Sequence, residues 1–331
     1  MNWFQKHKTI SAVLGIIVLL LAILIIIAFV PHAVEPTVTS NPADSYADAF
    51  ARIQEIKTAE SQLEDLNATC ITRLLTHGEK TEKTIVFLHG FTSCPDQFRK
   101  LGERYHALGY NVYIPRLPRH GLSDRTGKPL KGLSAEELAR FGSKTVDIAQ
   151  GLGERVIVVG LSGGGSITTW LAQQRSDVDL AVPIAPFLGV GFVPAPLTRL
   201  VTNLILLFPD IFQWWDPVNR MDNPNSAPYS YRGYWMHALF ENLRLGFTAE
   251  RDARSTKPAA HTILVITNAN DGSVNNDMVR RFERNWRSNG REYLRAYQFP
   301  KELELPHDLI TYYRPDGNPE LVYNKLLELI Q

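Results

Sequence analysis

Only two cysteines occur in 331 residues. That scarcity excludes a disulfide-rich scaffold and a zinc site built on cysteine. Charge of one sign is also missing, with Lys+Arg at 35 and Asp+Glu at 34. No basic excess, acidic tail or charged run marks a nucleic-acid partner. The chain has no H-E-x-x-H cluster, so no metal is implied, and no motif calls for a cofactor. Internal repeats and low-complexity tracts are absent as well. What is present is an ordinary globular composition, 44% apolar and 21% charged. The length suffices for one large domain, or two small ones, with a sizeable core.

The first thirty residues form a separate object. From Ile10 to Val30 no residue is charged. A helix of that length, rising about 1.5 Å per residue, spans a hydrocarbon core of about 30 Å. Lys6 and Lys8 precede it, and no acid occurs before Glu35. The positive-inside rule then predicts a cytoplasmic N-terminus over 1–9, an anchor over 10–30 and an extracytoplasmic remainder. Trp3 and Phe4 are placed for the cytoplasmic interface. The competing readings are a cleaved signal peptide, which would leave a secreted protein, and a buried core helix. The apolar run exceeds the usual signal core and continues into Ala28-Phe29-Val30-Pro31 without a small-x-small site. Residues 31–44, with three prolines, read as a tether. Residues 43–66, rich in Ala, Glu and Gln, read as helical.

Beyond the tether, short β-rich runs alternate with helical patterns. Strands are predicted at Thr84–Leu88, Tyr110–Ile114, Arg155–Val159, Asp179–Ile184, Thr262–Thr267 and Tyr293–Phe299. Helices are predicted at Asp96–Leu108, Ser134–Gly151, Ser166–Gln174, Asn276–Ser288 and Pro319–Ile330. This alternation implies an α/β fold: a mostly parallel central sheet with helices on both faces. One interval, Ala185 to Ala260, is far longer than a plain crossover requires. It is leucine-rich and aromatic, and it reads as an inserted helical cap over about 187–258, within a domain running from 45 to 331. Inserted after the fourth strand, such a cap would cover a site at the carboxyl ends of the strands.

The chemistry-bearing residues fall at those strand ends. Gly160-Leu161-Ser162-Gly163-Gly164 follows the third strand and opens a helix, the context that a G-x-S-x-G nucleophile elbow requires. The glycines let a sharp turn present the Ser162 hydroxyl beside a helix N-terminus, where free N–H groups stabilise negative charge. The plainer alternative, a phosphate loop, lacks its lysine. His89-Gly90-Phe91 follows the first strand. In a serine hydrolase this loop supplies the second oxyanion donor, here assigned to the Phe91 N–H beside that of Gly163. The plainer reading of that segment is a strand-end turn. Asp271 follows the fifth strand and His307 the sixth. A serine hydroxyl needs a base, and the base needs an orienting group. Taken singly, Asp271 reads equally well as a turn aspartate and His307 as a surface histidine. Ser162, Asp271 and His307, in that order and each just after a strand, form a candidate triad. His89 and His120 are the rivals for the base, but His89 fits the oxyanion loop and His120 falls too early.

With these motifs the chain resembles the α/β-hydrolase superfamily, and within it the serine carboxylesterases and the monoacylglycerol lipase-like, lysophospholipase-like hydrolases. The resemblance runs from about Ile71 to Ile330. It rests on Phe87-Leu88-His89-Gly90-Phe91, the stretch Pro115 to Arg125, Gly160 to Gly164, Asp271 to Val274, and His307. It implies an α/β-hydrolase fold and an acyl-serine mechanism without metal or cofactor. His307 would activate Ser162 and later protonate the leaving alcohol, with Asp271 orienting His307. Two features depart from the pattern: glycine follows Ser162 where these lipases often carry Met or Gln, and the membrane segment is unusual among soluble esterases.

The remaining signals are secondary. The aromatic cap, with Trp214 and Trp215, suggests an acyl-binding tunnel or simply the cap's own core. His89 and Arg119 are further candidate substrate contacts. The basic loop Arg116, Arg119, His120, Arg125 suits a phosphate or carboxylate, or else forms a solvated face paired with local acids. Cys70 and Cys94 flank the first strand. Outside the cytoplasm they are placed either to bridge and pin the oxyanion loop or to remain two buried thiols. The expected function is a membrane-anchored ester hydrolase acting on lipid-like or medium-chain acyl esters. The alternatives are an acyltransferase or amidase/peptidase of the same fold, and a non-catalytic binding protein.

Overall fold

The computed structural model of the chain describes residues 3–30, 34, 39–290 and 293–330. At its centre lies a seven-stranded sheet. Its strands are β1 (Arg73–Leu75), β2 (Thr81–Leu88), β3 (Asn111–Ile114), β4 (Gly153–Leu161), β5 (Leu180–Ile184), β8 (Thr262–Asn268) and β9 (Leu294–Phe299). They are ordered β1-β3-β2-β4-β5-β8-β9. Only β1 runs antiparallel, against β3; the remaining neighbours are parallel. The six predicted strands are therefore the six parallel ones, each within a few residues. The short edge strand β1 was not legible, because three half-buried residues carry no periodic signal.

β4 shows why the run was readable. Val156, Ile157, Val158 and Val159 are all buried, because a central parallel strand is covered on both faces. The covering helices are α3 (Arg99–Ala107), α4 (Ala135–Ala149), α5 (Gly163–Gln174), α8 (Asn276–Asn289) and α9 (Pro319–Leu329), with α2 (Tyr46–Ser61) packed against α4. α4 starts where Ser134 accepts a hydrogen bond from Glu137 N–H at 3.2 Å, and Glu137 completes the Ser-x-x-Glu pattern of a capping box. α8 starts where the Asn275 side chain accepts from Asp277 N–H at 2.9 Å. The helix predicted over Asp96–Leu108 opens instead as a 3-10 turn, Pro95–Phe98, before α3. α5 begins at Gly163, three residues before the predicted start.

The interval between β5 and β8 is not purely helical. It holds α6 (Thr198–Leu207), α7 (Met236–Ala253) and a two-stranded hairpin, β6 (Phe212–Trp214) with β7 (Gly233–Trp235). Each hairpin strand has three residues, too few for alternation to register. α7 packs against α4 and α5 and so ties the insertion to the main core.

At the N-terminus, α1 (Trp3–Phe29) contains the stretch His7–Ile27, with mean hydropathy 3.4. It is the one helix among the described residues long and apolar enough to cross a membrane. Its C-terminal end packs on α6, where the Asn203 amide donates to the Ile27 carbonyl at 2.6 Å. Of the expected tether, residues 31–33 and 35–38 lie outside the described residues, as do Met1, Asn2 and the side chains of Trp3, Phe4 and Lys6. Its described remainder is docked rather than free. Val34 N–H donates to Thr248 at 2.9 Å. Ser40 Oγ and Asn41 N–H both donate to the Asp147 carboxylate at 3.0 Å.

Candidate active site

Ser162 stands between β4 and α5 with φ 55° and ψ −113°, a conformation that costs a non-glycine residue about 1–3 kcal/mol. The surrounding glycines make that turn feasible. A Cβ on Gly160 would lie 2.2 Å from the Gly164 carbonyl oxygen, and one on Gly164 would lie 2.1 Å from that of Leu88. The turn holds Ser162 at 9% exposure, with its N–H bonded to Ile184 O at 3.0 Å.

The sequence-predicted partners converge on it. His307 Nε2 lies 2.8 Å from Ser162 Oγ, and His307 Nδ1 lies 2.6 Å from Asp271 Oδ2. A carboxylate only accepts, so Nδ1 carries the proton and Nε2 is left to accept from the serine hydroxyl. Asp271 is fully covered, and its Oδ1 accepts from the N–H groups of Ser273 at 2.8 Å and Val274 at 3.3 Å. Burial pushes the Asp271 pKa up, but the His307 charge and these hydrogen bonds outweigh it, and the result lies below the usual 3.8. Burial would likewise lower the His307 pKa, but the Asp271 charge and hydrogen bond outweigh it and raise it above 6.5.

The loop after β2 adjoins the elbow. A Cβ on Gly163 would lie 3.0 Å from Phe91 N, so the two backbones touch. The Phe91 N–H has no acceptor among the described residues, and Gly163, first in α5, has its N–H outside the helical ladder. Residues from several parts of the chain hold this loop. The Gln97 carboxamide accepts from Gly90 N–H at 2.8 Å and donates to Thr311 Oγ1 at 3.1 Å. Thr92, at φ 64°, is gripped by the cap: Tyr231 N–H donates to its carbonyl at 2.8 Å and Trp215 Nε1 to its hydroxyl at 3.0 Å. Cys70 and Cys94 are joined by a disulfide with Cα atoms 5.2 Å apart, and Cys94 caps the turn that carries Gln97. No sequence motif marks Gln97, whose second partner, Thr311, lies 214 positions away.

The other singled-out residues divide. Trp215 reaches the loop after β2, with its ring 6.4 Å from Phe91 and 4.1 Å from Tyr234. Trp214, on the opposite side of its strand, packs on Phe212 instead. His89 is wholly buried, and both its nitrogens engage backbone, Gly90 O at 3.0 Å and Leu117 N–H at 3.1 Å. Burial holds its pKa well below 6.5, so it is a neutral strut between two loops rather than a free substrate contact. Arg119 is likewise occupied, by Glu137 at 3.0 Å and Lys131 O at 2.6 Å. His120 is held neutral, its pKa lowered by burial to about 4. A cavity of about 310 Å³ adjoins Asp271, lined by residues including Phe192, Val193, Asp277 and Arg280.

A strained serine between a parallel strand and a helix, with Asp and His supplied by the loops after two later strands, defines a class. The profile of the alpha/beta hydrolase family matches residues 85–308, and the chain belongs to that family. Over 120 residues it is 30% identical to a thermostable monoacylglycerol lipase of Bacillus sp. (strain H-257), a match covering 34% of this chain and 44% of that relative. The match thus spans less than half the length of that relative. Among solved structures, a monoacylglycerol lipase from Paleococcus ferrophilus superposes with TM-score 0.57 at 16% identity, over 78% of this chain and 97% of that one. A soluble variant of monoglyceride lipase from Saccharomyces cerevisiae, in complex with a substrate analog, gives 0.56 at 12% identity, over 78% and 89%. At those identities the two structures show the shared fold.

Proposed function

We propose that the chain is a serine ester hydrolase that cleaves lipid-like carboxylic esters through an acyl-serine intermediate, held at a membrane by α1. The observation that carries this reading is the unbroken relay from Ser162 through His307 to Asp271, at 2.8 and 2.6 Å. His307 Nε2 takes the hydroxyl proton as Ser162 Oγ attacks the ester carbonyl. The oxyanion that forms accepts from the Phe91 and Gly163 N–H groups, and each such donor is worth about 10²–10³ in rate. The imidazolium, stabilised by Asp271, then protonates the leaving alcohol. Water repeats the cycle on the acyl-serine and releases the acid.

The lipid-like substrate is supported by the monoacylglycerol lipases among the relatives and by the apolar surface around the cap. Leu197, Leu207, Phe208 and Ile211 are all exposed on or beside α6, next to the end of α1. Lys6 and Lys8, in the first turns of α1 and before its apolar run, favour an N-terminus on the cytoplasmic side and a hydrolase domain outside. The test is hydrolysis of p-nitrophenyl esters from acetyl to palmitoyl by the wild type and Ser162→Ala. The expected result is a loss in the variant on the order of 10⁴-fold or more, with a wild-type optimum above acetyl. Equal rates in the two proteins would overturn Ser162 as the nucleophile.

A further inference from the structure

We propose that Arg125 and Arg232, bonded backbone to backbone across the seam between the cap hairpin and the loop after β3, form a binding site for a phosphate group. The site deepens the hydrolase reading and rests on it for the source of that phosphate. Arg232 immediately precedes β7, and its N–H donates to the Arg125 carbonyl at 2.7 Å. The seam is tight: a Cβ on Gly127, at φ 87°, would lie 1.9 Å from the Gly233 carbonyl oxygen.

The two side chains are covered without being neutralised. Arg232 is 6% exposed and Arg125 half-buried. Arg125 Nε reaches only the Ser230 carbonyl, at 3.4 Å. Arg232 Nη1 reaches only the Asn223 carbonyl, at 3.2 Å. Arg125 Nη2 and Arg232 Nε are buried donors with no acceptor among the described residues. Arg175, the other equally covered arginine among the described residues, differs sharply: it has Asp147 at 2.7 Å and Asp177 at 2.6 Å. Half-buried Arg116 has Glu60 at 3.1 Å.

Asp124, the sequence neighbour of Arg125, and Asp222 do not take that role. Asp124 turns its carboxylate to the Thr126 N–H at 2.9 Å, and exposed Asp222 acts on Arg232 only through its charge. Burial first, and then the neighbouring Arg125 charge, hold the Arg232 pKa down to about 10. Two covered like charges are unfavourable unless an anion joins them, and guanidinium forks match phosphate oxygens in geometry.

The placement says what the phosphate could belong to. The Arg232 carbonyl accepts from Trp215 N–H at 3.0 Å, and the N–H of Tyr231 bonds Thr92 in the oxyanion loop. The segment that carries Arg232 therefore also grips the loop beside the proposed nucleophile. A long-chain monoacyl ester whose alcohol part bears a phosphate would present that group near this seam. Inorganic phosphate shares the same chemistry, and the experiment separates the two sources.

Thermal unfolding of the full chain in neutral detergent micelles would be followed against inorganic phosphate, at ionic strength held constant with sodium chloride. Hydrolysis of 1-oleoyl-lysophosphatidate and 1-oleoylglycerol would be compared in the same proteins. Phosphate is expected to raise the Tm of the wild type and not of Arg232→Gln. Arg125→Gln serves as a second variant should the first fold poorly. Without phosphate, both variants are expected to melt no lower than wild type, since each relieves a like-charge pair. If the substrate head group is the source, the wild type prefers the phosphate-bearing ester, and the ratio of the two kcat/KM values falls about tenfold in the variants, the effect of one charge-assisted contact. Phosphate protection without a substrate preference assigns the site to the free anion. An equal phosphate response in all three proteins, or none in the wild type, overturns the proposal. Phosphate protection in a chain that hydrolyses neither ester would instead count against the hydrolase reading and leave the anion site standing.

Discussion

The two loops that meet at Ser162 are held in opposite ways. The elbow is built locally: β4 delivers it, α5 leaves it, and glycines at 160 and 164 allow the backbone to pass within clash distance of its neighbours. The loop after β2 is built from afar. Gln97 connects it to Thr311, the Cys70 disulfide to the segment before β1, and Tyr231 and Trp215 to the cap. The proposed nucleophile is thus set by a short motif, whereas the groups that would hold the oxyanion depend on contacts that assemble only in the folded chain.

That contrast can be broken most severely on the elbow side of the site. Asp271→Asn is expected to lower kcat on the order of 10⁴-fold, because the amide stabilises the wrong imidazole tautomer. The pH profile sharpens the point. The neutral base carries the reaction, so wild-type kcat/KM should rise with pH through an inflection above 6.5, and Asp271→Asn should move that inflection down, since burial and the Arg314 charge are then opposed only by the Asp308 charge. An unmoved inflection would mean that Asp271 does not set the basicity of His307. The same shift has a stability counterpart. A raised histidine pKa contributes stability below 6.5 that is lost as pH rises through the folded value.

On the oxyanion side, effects should be smaller and spread over more residues. Gln97→Leu leaves the Gly90 N–H buried without its acceptor. A destabilisation of about 1–3 kcal/mol is expected, with kcat down about tenfold to a hundredfold and KM little changed, as for a disturbed oxyanion donor. A KM-only effect would remove the loop from transition-state stabilisation. Replacing both Cys70 and Cys94 by Ala opens a link across 24 residues. Chain-entropy reasoning puts the loss near 3 kcal/mol, read as a lowered denaturant midpoint, with activity retained where the variant is folded. The smallest effect belongs to Trp215→Phe, which keeps the ring and removes the bond to Thr92. A fall in kcat of about fivefold is expected, the value of one partly exposed hydrogen bond, and a larger change would make the cap a stronger brace than its exposure suggests.

Particular residues show how far the pattern of the chain could be read. The parallel strands were legible because central strands must be apolar on both faces, as Val156 to Val159 are. Ser162, Asp271 and His307 were legible because each follows such a strand, where the fold collects loops at one edge. Strands β1, β6 and β7 were not, since three residues cannot display a period. Arg119 and His89 looked available as substrate contacts. Their partners, Glu137 and the backbone of Leu117, lie 18 and 28 positions away and are invisible to local reasoning.

By itself, then, the sequence determined the apolar N-terminal helix, the alternating α/β layers, the strained serine turn and the order of its two partners, because each depends on residue type and spacing within a few positions. The tertiary structure alone decided which polar groups are satisfied and which are not. It set the bracing of the loop after β2, paired Cys70 with Cys94, docked α1 against the cap, and brought Arg125 to Arg232 with no ion pair to a carboxylate among the described residues. Those outcomes rest on groups more than twenty residues apart, whose meeting is fixed by packing of the whole core.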